Sequence, residues 1–136
     1  RLLKIFAEAL KNLNIKFAWI VNSEDGLDEI SPYAITNVVQ LKDGKISEII
    51  IDPKKLNINA NKFEDLLGDD AKFNANKIIN IFKGGDSDFS KAVCLNTAAG
   101  LIVAGKYSSF NNAYEDARKH ILSGKTYENL KKLQNV

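Results

Sequence analysis

Four carboxylates are crowded into one short stretch of the sequence, directly after an apolar run. The stretch, VNSEDGLDEIS, covers residues 21–31, and its acidic residues are Glu24, Asp25, Asp28 and Glu29. Like charges held close together raise one another's pKa values, so such a cluster needs either water or a cation. A solvated turn is the plainest interpretation, because Asp25-Gly26 is a common turn dipeptide.

Metal binding is the alternative to a solvated turn. A calcium-binding EF-hand loop requires alternating ligands with a Gly at its sixth position and a Glu at its twelfth. The acidic stretch does not have this spacing. A magnesium site requires fewer protein ligands, since Mg²⁺ binds to one or two carboxylates, keeps several waters and takes its other ligands from phosphate groups. The residues alone therefore leave open a solvated turn or a magnesium site that serves a diphosphate.

The composition is that of one ordinary soluble domain. The chain has 136 residues, of which 45% are apolar and 26% are charged. A net charge of +2 produces no strong field, so neither a nucleic-acid groove nor a membrane surface is indicated. The single Cys94 excludes an intrachain disulfide, and no apolar run is long enough to span a bilayer. We expect a cytoplasmic protein in which Cys94 is a small core residue.

Hydrophobic periodicity predicts the elements that position the acidic stretch. A helix is expected to end at about Leu13, and the continuous apolar run over residues 15–21 is typical of a strand covered on both faces. Two further strands are predicted over residues 35–41 and 46–51. Asp43-Gly44 lies between them and predicts a tight hairpin turn with positive φ. The acidic stretch is thus expected to connect a strand to a β-hairpin.

The second half of the chain is predicted to be helical. A short helical turn at residues 63–67 precedes a helix that ends at Gly84-Gly85. The predicted inner face of that helix consists of Ala71, Ala75, Ile78, Ile79 and Phe82. Asp88 is the predicted N-cap of the next helix, which is apolar on nearly every side and therefore buried.

A last long helix is predicted to begin at residue 108 or 109 and to end at Gly124. The tail that follows is expected to add a final amphipathic turn or two. The inner face of the long helix consists of Phe110, Ala113, Ala117 and Ile121.

Three polar features of this helical half are expected to be structural. Asn96 lies in the buried helix and is predicted to be a satisfied hydrogen-bonding residue, because buried polar groups are paired. His120 has no Asp, Glu or Cys at ligand spacing and is predicted to be a surface residue. The KGGDSD run at residues 83–88 lacks the preceding strand and the following Lys-Ser/Thr of a phosphate-binding loop. It is therefore predicted to be a connector.

The order of these elements and two sequence runs resemble the anthranilate phosphoribosyltransferase family. The runs are Gly-x-Asp-Glu-Ile-Ser at residues 26–31 and Leu-Asn-x-Ala-Ala at residues 95–99. The resemblance implies that residues 1–136 form the C-terminal portion of an α/β domain like those of nucleoside phosphorylases and phosphoribosyltransferases. It implies a short sheet with a β-hairpin and a helical C-terminal half. The family transfers phosphoribosyl from phosphoribosyl pyrophosphate (PRPP) to anthranilate in tryptophan biosynthesis and releases pyrophosphate.

The resemblance also implies a metal site. The family's Asp-Glu pair, which binds the Mg²⁺ that accompanies the pyrophosphate, falls on Asp28 and Glu29. A dication between carboxylates and a diphosphate cancels their repulsion, which agrees with this role. Glu24 and Asp25 receive no family role and are expected to be solvated or supporting residues. The resemblance places no catalytic residue in this chain.

The chain departs from the family pattern in ways that limit what it is expected to do. Asn22-Ser23 replaces the family's His-Gly, whereas Asp70 and Asn74 are retained from a later motif. The family's glycine-rich phosphate loop and N-terminal helical domain are not found in residues 1–136, and the sequence has no Met. We therefore expect a missing preceding segment, an inactive isolated chain and a homodimeric parent enzyme. A nucleic-acid-binding relative of the same fold and a non-catalytic interaction domain stay open as alternatives.

Overall fold

The computed structural model describes residues 2–134 and shows a small sheet followed by helices. The first half contains α1 (Leu2–Asn12), β1 (Phe17–Ser23), β2 (Thr36–Lys42), β3 (Lys45–Ile51) and two 3₁₀ turns (Pro53–Leu56 and Phe63–Leu66). The second half contains α2 (Ala71–Phe82), α3 (Asp88–Val103), α4 (Phe110–Leu122) and α5 (Lys125–Gln134). No helix within residues 2–134 has the length and apolarity that crossing a membrane requires.

The sheet brings both ends of the acidic stretch to one place. In the described residues it has three strands in the order β1-β2-β3, and both pairings are antiparallel. Ser23 at the end of β1 pairs with Thr36 at the start of β2, so the acidic loop leaves and re-enters the sheet at the same end of these two strands. The predicted hairpin between β2 and β3 is confirmed, with positive φ angles of 48° at Asp43 and 76° at Gly44.

The prediction that the first strand is covered on both faces is confirmed only in part. Residues 17–21 of β1, which alternate between the two faces, are all half-buried, and both α1 and α3 contact the strand. The strand also begins later than predicted. Asn14 adopts a φ of 59°, and the Ile15 N–H donates to Leu10 O at 3.0 Å, so Ile15 still belongs to the turn that ends α1.

The core lies between the sheet and the helices α3 and α4. Leu95 and Ala98 on α3 are fully buried and Cys94 is 1% exposed, which confirms the predicted buried helix. The predicted inner face of α4 is also confirmed, since its residues Ala113, Ala117 and Ile121 are buried. α4 is followed by Gly124, whose φ is 71°. Because it is packed in the core, α3 is a rigid element of the fold.

The predicted inner face of α2 is wrong for Ala71, Ala75 and Ile78, which are exposed. Ile79 and Phe82 of that face are half-buried, and Ile81 is the buried residue of this helix. α2 contacts α4 and α5, so its burial is concentrated in its last turn. Gly84 then ends the helix with a φ of 98°, as predicted.

Candidate functional site

Asp28 and Glu29 lie side by side in the loop that joins β1 to β2. Both are exposed, whereas the next two residues are almost completely buried, Ile30 at 1% exposure and Ser31 at 0%. The backbone thus passes from the surface into the core within two residues. The two carboxylates therefore face solvent on a chain segment whose following residues are anchored.

The start of the acidic loop is closed by backbone hydrogen bonds. The Gly26 N–H donates to Ser23 O at 3.0 Å, and the Ser23 N–H donates to Leu27 O at 2.9 Å. Gly26 has a φ of 92°, a conformation that glycine adopts without strain. A further bond from the Glu24 N–H to Ile35 O joins the two ends of the loop at 2.9 Å.

Asp25 supports the loop. Its carboxylate accepts a 2.5 Å hydrogen bond from the Ser31 hydroxyl and a 3.3 Å bond from the Leu27 N–H. Partial burial raises the pKa of Asp25, but the hydrogen bonds from Ser31, Ser23 and Leu27 outweigh it and hold the pKa below its usual value. Both Asp25 and the neighbouring Glu24 are exposed, but the lowered pKa keeps Asp25 ionised, and its hydrogen bonds help to maintain the shape of the loop.

Asn96 attaches the acidic loop to α3. Its Oδ1 accepts from the Ile30 N–H at 2.9 Å, and its Nδ2 donates to Ile30 O at 3.1 Å and to Ala92 O at 3.0 Å. The prediction of a satisfied structural asparagine is confirmed. The sequence did not indicate its partner, which lies 66 positions away.

A second anchor joins the segment after the acidic loop to the start of α3. The Tyr33 hydroxyl lies 3.3 Å from the Asp88 carboxylate, which also accepts from the N–H groups of Asn61 and Lys62 at 2.8 Å. The Lys91 ammonium group lies 2.6 Å from the same carboxylate. Burial raises the pKa of Asp88, but these bonds outweigh it and lower the pKa to about 2.

The predicted capping role of Asp88 is wrong. Ser87 is the N-cap of α3, and its hydroxyl accepts from the Ser90 N–H at 3.2 Å while the Ser90 hydroxyl accepts from the Ser87 N–H at 2.9 Å. Asp88 is the first helical residue, and its side chain is directed to the Asn61–Lys62 backbone instead. Both residue types favour helix N-termini, so the sequence alone did not separate them.

The donor set of the acidic loop fits Mg²⁺. Within residues 2–134, no group of three or more His, Cys, Asp or Glu residues could hold a metal. Asp28 and Glu29 thus offer hard oxygen ligands for only part of a coordination shell. Magnesium is commonly held by one or two carboxylates together with waters and substrate phosphates, whereas zinc requires three or four protein ligands.

Cys94, His120 and the KGGDSD run behave as predicted. Cys94 is a buried core residue as predicted, and burial raises the pKa of its thiol to about 11. His120 lies exposed on α4, as predicted. The KGGDSD run connects α2 to α3, which confirms its prediction as a connector.

The fold is that of a transferase α/β domain. The family described as "Glycosyl transferase family, a/b domain" matches residues 1–127, and the chain belongs to this family.

Individual relatives narrow the similarity to one kind of enzyme. The anthranilate phosphoribosyltransferase of Pelagibacter ubique (strain HTCC1062) is 78% identical over 136 residues, which cover 100% of this chain and 41% of the relative. That of Clostridium beijerinckii is 40% identical over 138 residues, covering 99% of this chain and 41% of the relative. The resemblance inferred from the sequence is confirmed. The chain spans about two fifths of the length of these curated relatives.

Solved structures show the same fold. The anthranilate phosphoribosyltransferase of Thermus thermophilus has a TM-score of 0.84 and 27% identity, over 96% of this chain and 38% of that one. The Saccharomyces cerevisiae enzyme in complex with PRPP and Mg has a TM-score of 0.82 and 20% identity over the same shares. The predicted phosphoribosyltransferase-like α/β fold is therefore confirmed.

Proposed function

We propose that the full-length protein carrying this chain is an anthranilate phosphoribosyltransferase. It transfers the phosphoribosyl group of PRPP to anthranilate and releases pyrophosphate, a step of tryptophan biosynthesis. The observation that carries this proposal is the 78% identity to the Pelagibacter ubique enzyme, which extends over all 136 residues. The fold shared with the Thermus thermophilus enzyme supports it.

Within this reaction, Asp28 and Glu29 are the proposed magnesium ligands. Both carboxylates are exposed, and buried residues anchor the backbone directly after them. Bound magnesium would supply the positive charge that offsets repulsion between these carboxylates and a diphosphate. The two side chains would hold that charge where the leaving group gains negative charge. Asp25 shapes the loop through Ser31 and has no proposed contact with the metal.

The proposed setting is a larger cytoplasmic homodimer. We place this chain in the C-terminal portion of the phosphoribosyltransferase α/β domain, and the remainder of the parent supplies the glycine-rich phosphate loop and the contacts to anthranilate. The chain covers 41% of the curated relative, which supports a parent protein longer than this chain. The isolated chain is accordingly predicted to be inactive. Nucleic acid is not a proposed partner, since the net charge is only +2, and a salt-dependent DNA titration would test this.

Steady-state kinetics against magnesium concentration test the proposed function. In the full-length protein, Asp28→Asn and Glu29→Gln should each lower the formation of phosphoribosyl-anthranilate by roughly a hundredfold, the usual cost of losing a group that stabilises developing charge. Raised magnesium should restore part of the loss, because a weakened site is less occupied. Glu24→Gln is the matched control, since it removes an exposed carboxylate of the same loop.

Two results would overturn the proposal. A full-length protein that forms no phosphoribosyl-anthranilate with PRPP, anthranilate and magnesium would refute the activity. Normal activity after Asp28→Asn, or equal damage from Glu24→Gln, would show that the acidic loop is a solvated turn. Circular dichroism of each variant separates loss of folding from loss of the site.

A further inference from the structure

We infer that Asn96 is a positioning residue that holds the Asp28–Glu29 pair in place for magnesium binding. This inference rests on the proposed function, because it takes those two carboxylates as the metal ligands. Asn96 itself is assigned no contact with metal or substrate. It acts through the backbone of Ile30, the residue that directly follows Glu29.

A single side chain satisfies both backbone groups of Ile30. The Asn96 amide accepts from the Ile30 N–H at 2.9 Å and donates to Ile30 O at 3.1 Å, so the loop is held as a strand is held by its neighbour. The third bond, to Ala92 O at 3.0 Å, fixes the amide against its own helix. With these three bonds the amide has little freedom to turn, and Ile30 is held in one orientation.

The helix that carries Asn96 is itself immobilised by packing. The neighbouring residues Leu95 and Ala98 are fully buried, and Ala92 is 5% exposed. Ile30 is 1% exposed and belongs to the same hydrophobic core. The loop is therefore attached to a rigid element through both a hydrogen-bonded amide and a buried side chain.

Asp28 and Glu29 are bracketed by fixed points. On one side the Asp25 carboxylate accepts the Ser31 hydroxyl bond at 2.5 Å and closes the loop. On the other side Asn96 holds the Ile30 peptide. Residues that orient metal ligands without touching the metal commonly contribute about tenfold or more to metal affinity. Loss of Asn96 would leave the N–H and C=O of Ile30 unpaired in a partly buried place and free the loop to move.

The experiment uses the full-length protein and measures metal binding without turnover. The probe is Mn²⁺ with inorganic pyrophosphate, titrated by electron paramagnetic resonance, alongside amide hydrogen exchange of residues 27–31 without metal. The variants are Asn96→Ala and the milder Asn96→Ser, with Asp28→Asn as the reference for a lost ligand. Ser109→Ala is the control, because it removes another side-chain-to-backbone bond, to Asn112 N at the start of α4.

We expect Asn96→Ala to weaken Mn²⁺ binding by about tenfold and to speed exchange at the Ile30 N–H, which loses its acceptor. Ser109→Ala should change neither. If Asp28→Asn weakens binding and both Asn96 variants leave the affinity unchanged, the positioning role is overturned while the metal site stands, even where exchange becomes faster. If Asp28→Asn leaves binding unchanged, the proposed metal site fails and the role of Asn96 fails with it.

Discussion

Replacing Asp88 with Asn is expected to destabilise the chain through a carboxylate that is 5% exposed. Asp88 accepts two backbone N–H groups, from Asn61 and Lys62, and pairs with the half-buried Lys91. These contacts lower its pKa from 3.8 to about 2. That difference corresponds to between about 2 and about 3 kcal/mol of stabilisation at neutral pH, at about 1.4 kcal/mol per pH unit.

The pH dependence has a definite sign. Because the folded-state pKa of Asp88 is lower than its unfolded value, its contribution is fully present above about pH 4. It is lost as the pH falls towards 2, where the carboxyl group becomes protonated in the folded state as well. The difference in unfolding free energy between the wild-type chain and Asp88→Asn should therefore shrink between about pH 4 and about pH 2.

Urea unfolding followed by circular dichroism measures this difference at each pH. Asp86→Asn is the matched control, since Asp86 forms an exposed pair with Arg118 at 2.7 Å and surface pairs contribute at most about 1 kcal/mol. Hydrogen exchange at Asn61 and Lys62 provides a local readout, because Asp88 accepts from both amides. A loss below about 0.5 kcal/mol at pH 7, or a difference that does not change on acidification, would refute the reasoning.

Further outcomes are expected elsewhere in the chain. Cys94 should resist thiol reagents at pH 8 until urea is added, because it is buried and its pKa is about 11; rapid labelling of folded protein would contradict this. Gly84→Ala should destabilise more than Gly105→Ala in urea unfolding. Both glycines have positive φ, but a Cβ at Gly84 would lie 2.9 Å from Leu122 O, whereas a Cβ at Gly105 would meet no atom within 4 Å. Equal losses of unfolding free energy in the two variants would show that this close contact does not destabilise the chain. The isolated chain should self-associate through exposed apolar residues such as Phe6 (57% exposed); a monomer at high concentration in sedimentation would oppose this.

Local sequence patterns predicted those elements that are determined by residues close together in the sequence. Asp43-Gly44 determined the β2–β3 hairpin because few residue pairs tolerate two positive φ angles. The inner face of α4 followed from helical spacing, since it packs along its length on α3. The same reasoning failed for part of α2, where Ala75 and Ile78 are exposed, because periodicity does not show which part of a helix has a neighbour.

Contacts between distant residues could not be predicted from the sequence. Asn96 was expected to be hydrogen-bonded, yet nothing in its surroundings indicated Ile30, 66 positions earlier. Asp88 was expected to cap α3, whereas it accepts from Asn61 and Lys62, 27 and 26 positions earlier. In each case the tertiary fold decided which of several acceptable partners a polar side chain would meet.

Environment gives the acidic residues of this chain different roles. Asp25 and Asp88 each accept hydrogen bonds from several groups, and the pKa of each is lowered, so both stay ionised while holding backbone in place. Asp28 and Glu29 are exposed on the loop that those contacts shape. For the proposed magnesium site, carboxylates that are exposed on an anchored backbone would leave room in the coordination shell for waters and a diphosphate. We therefore propose that Asp25 maintains the shape of the loop while the neighbouring Asp28–Glu29 pair is available to bind magnesium.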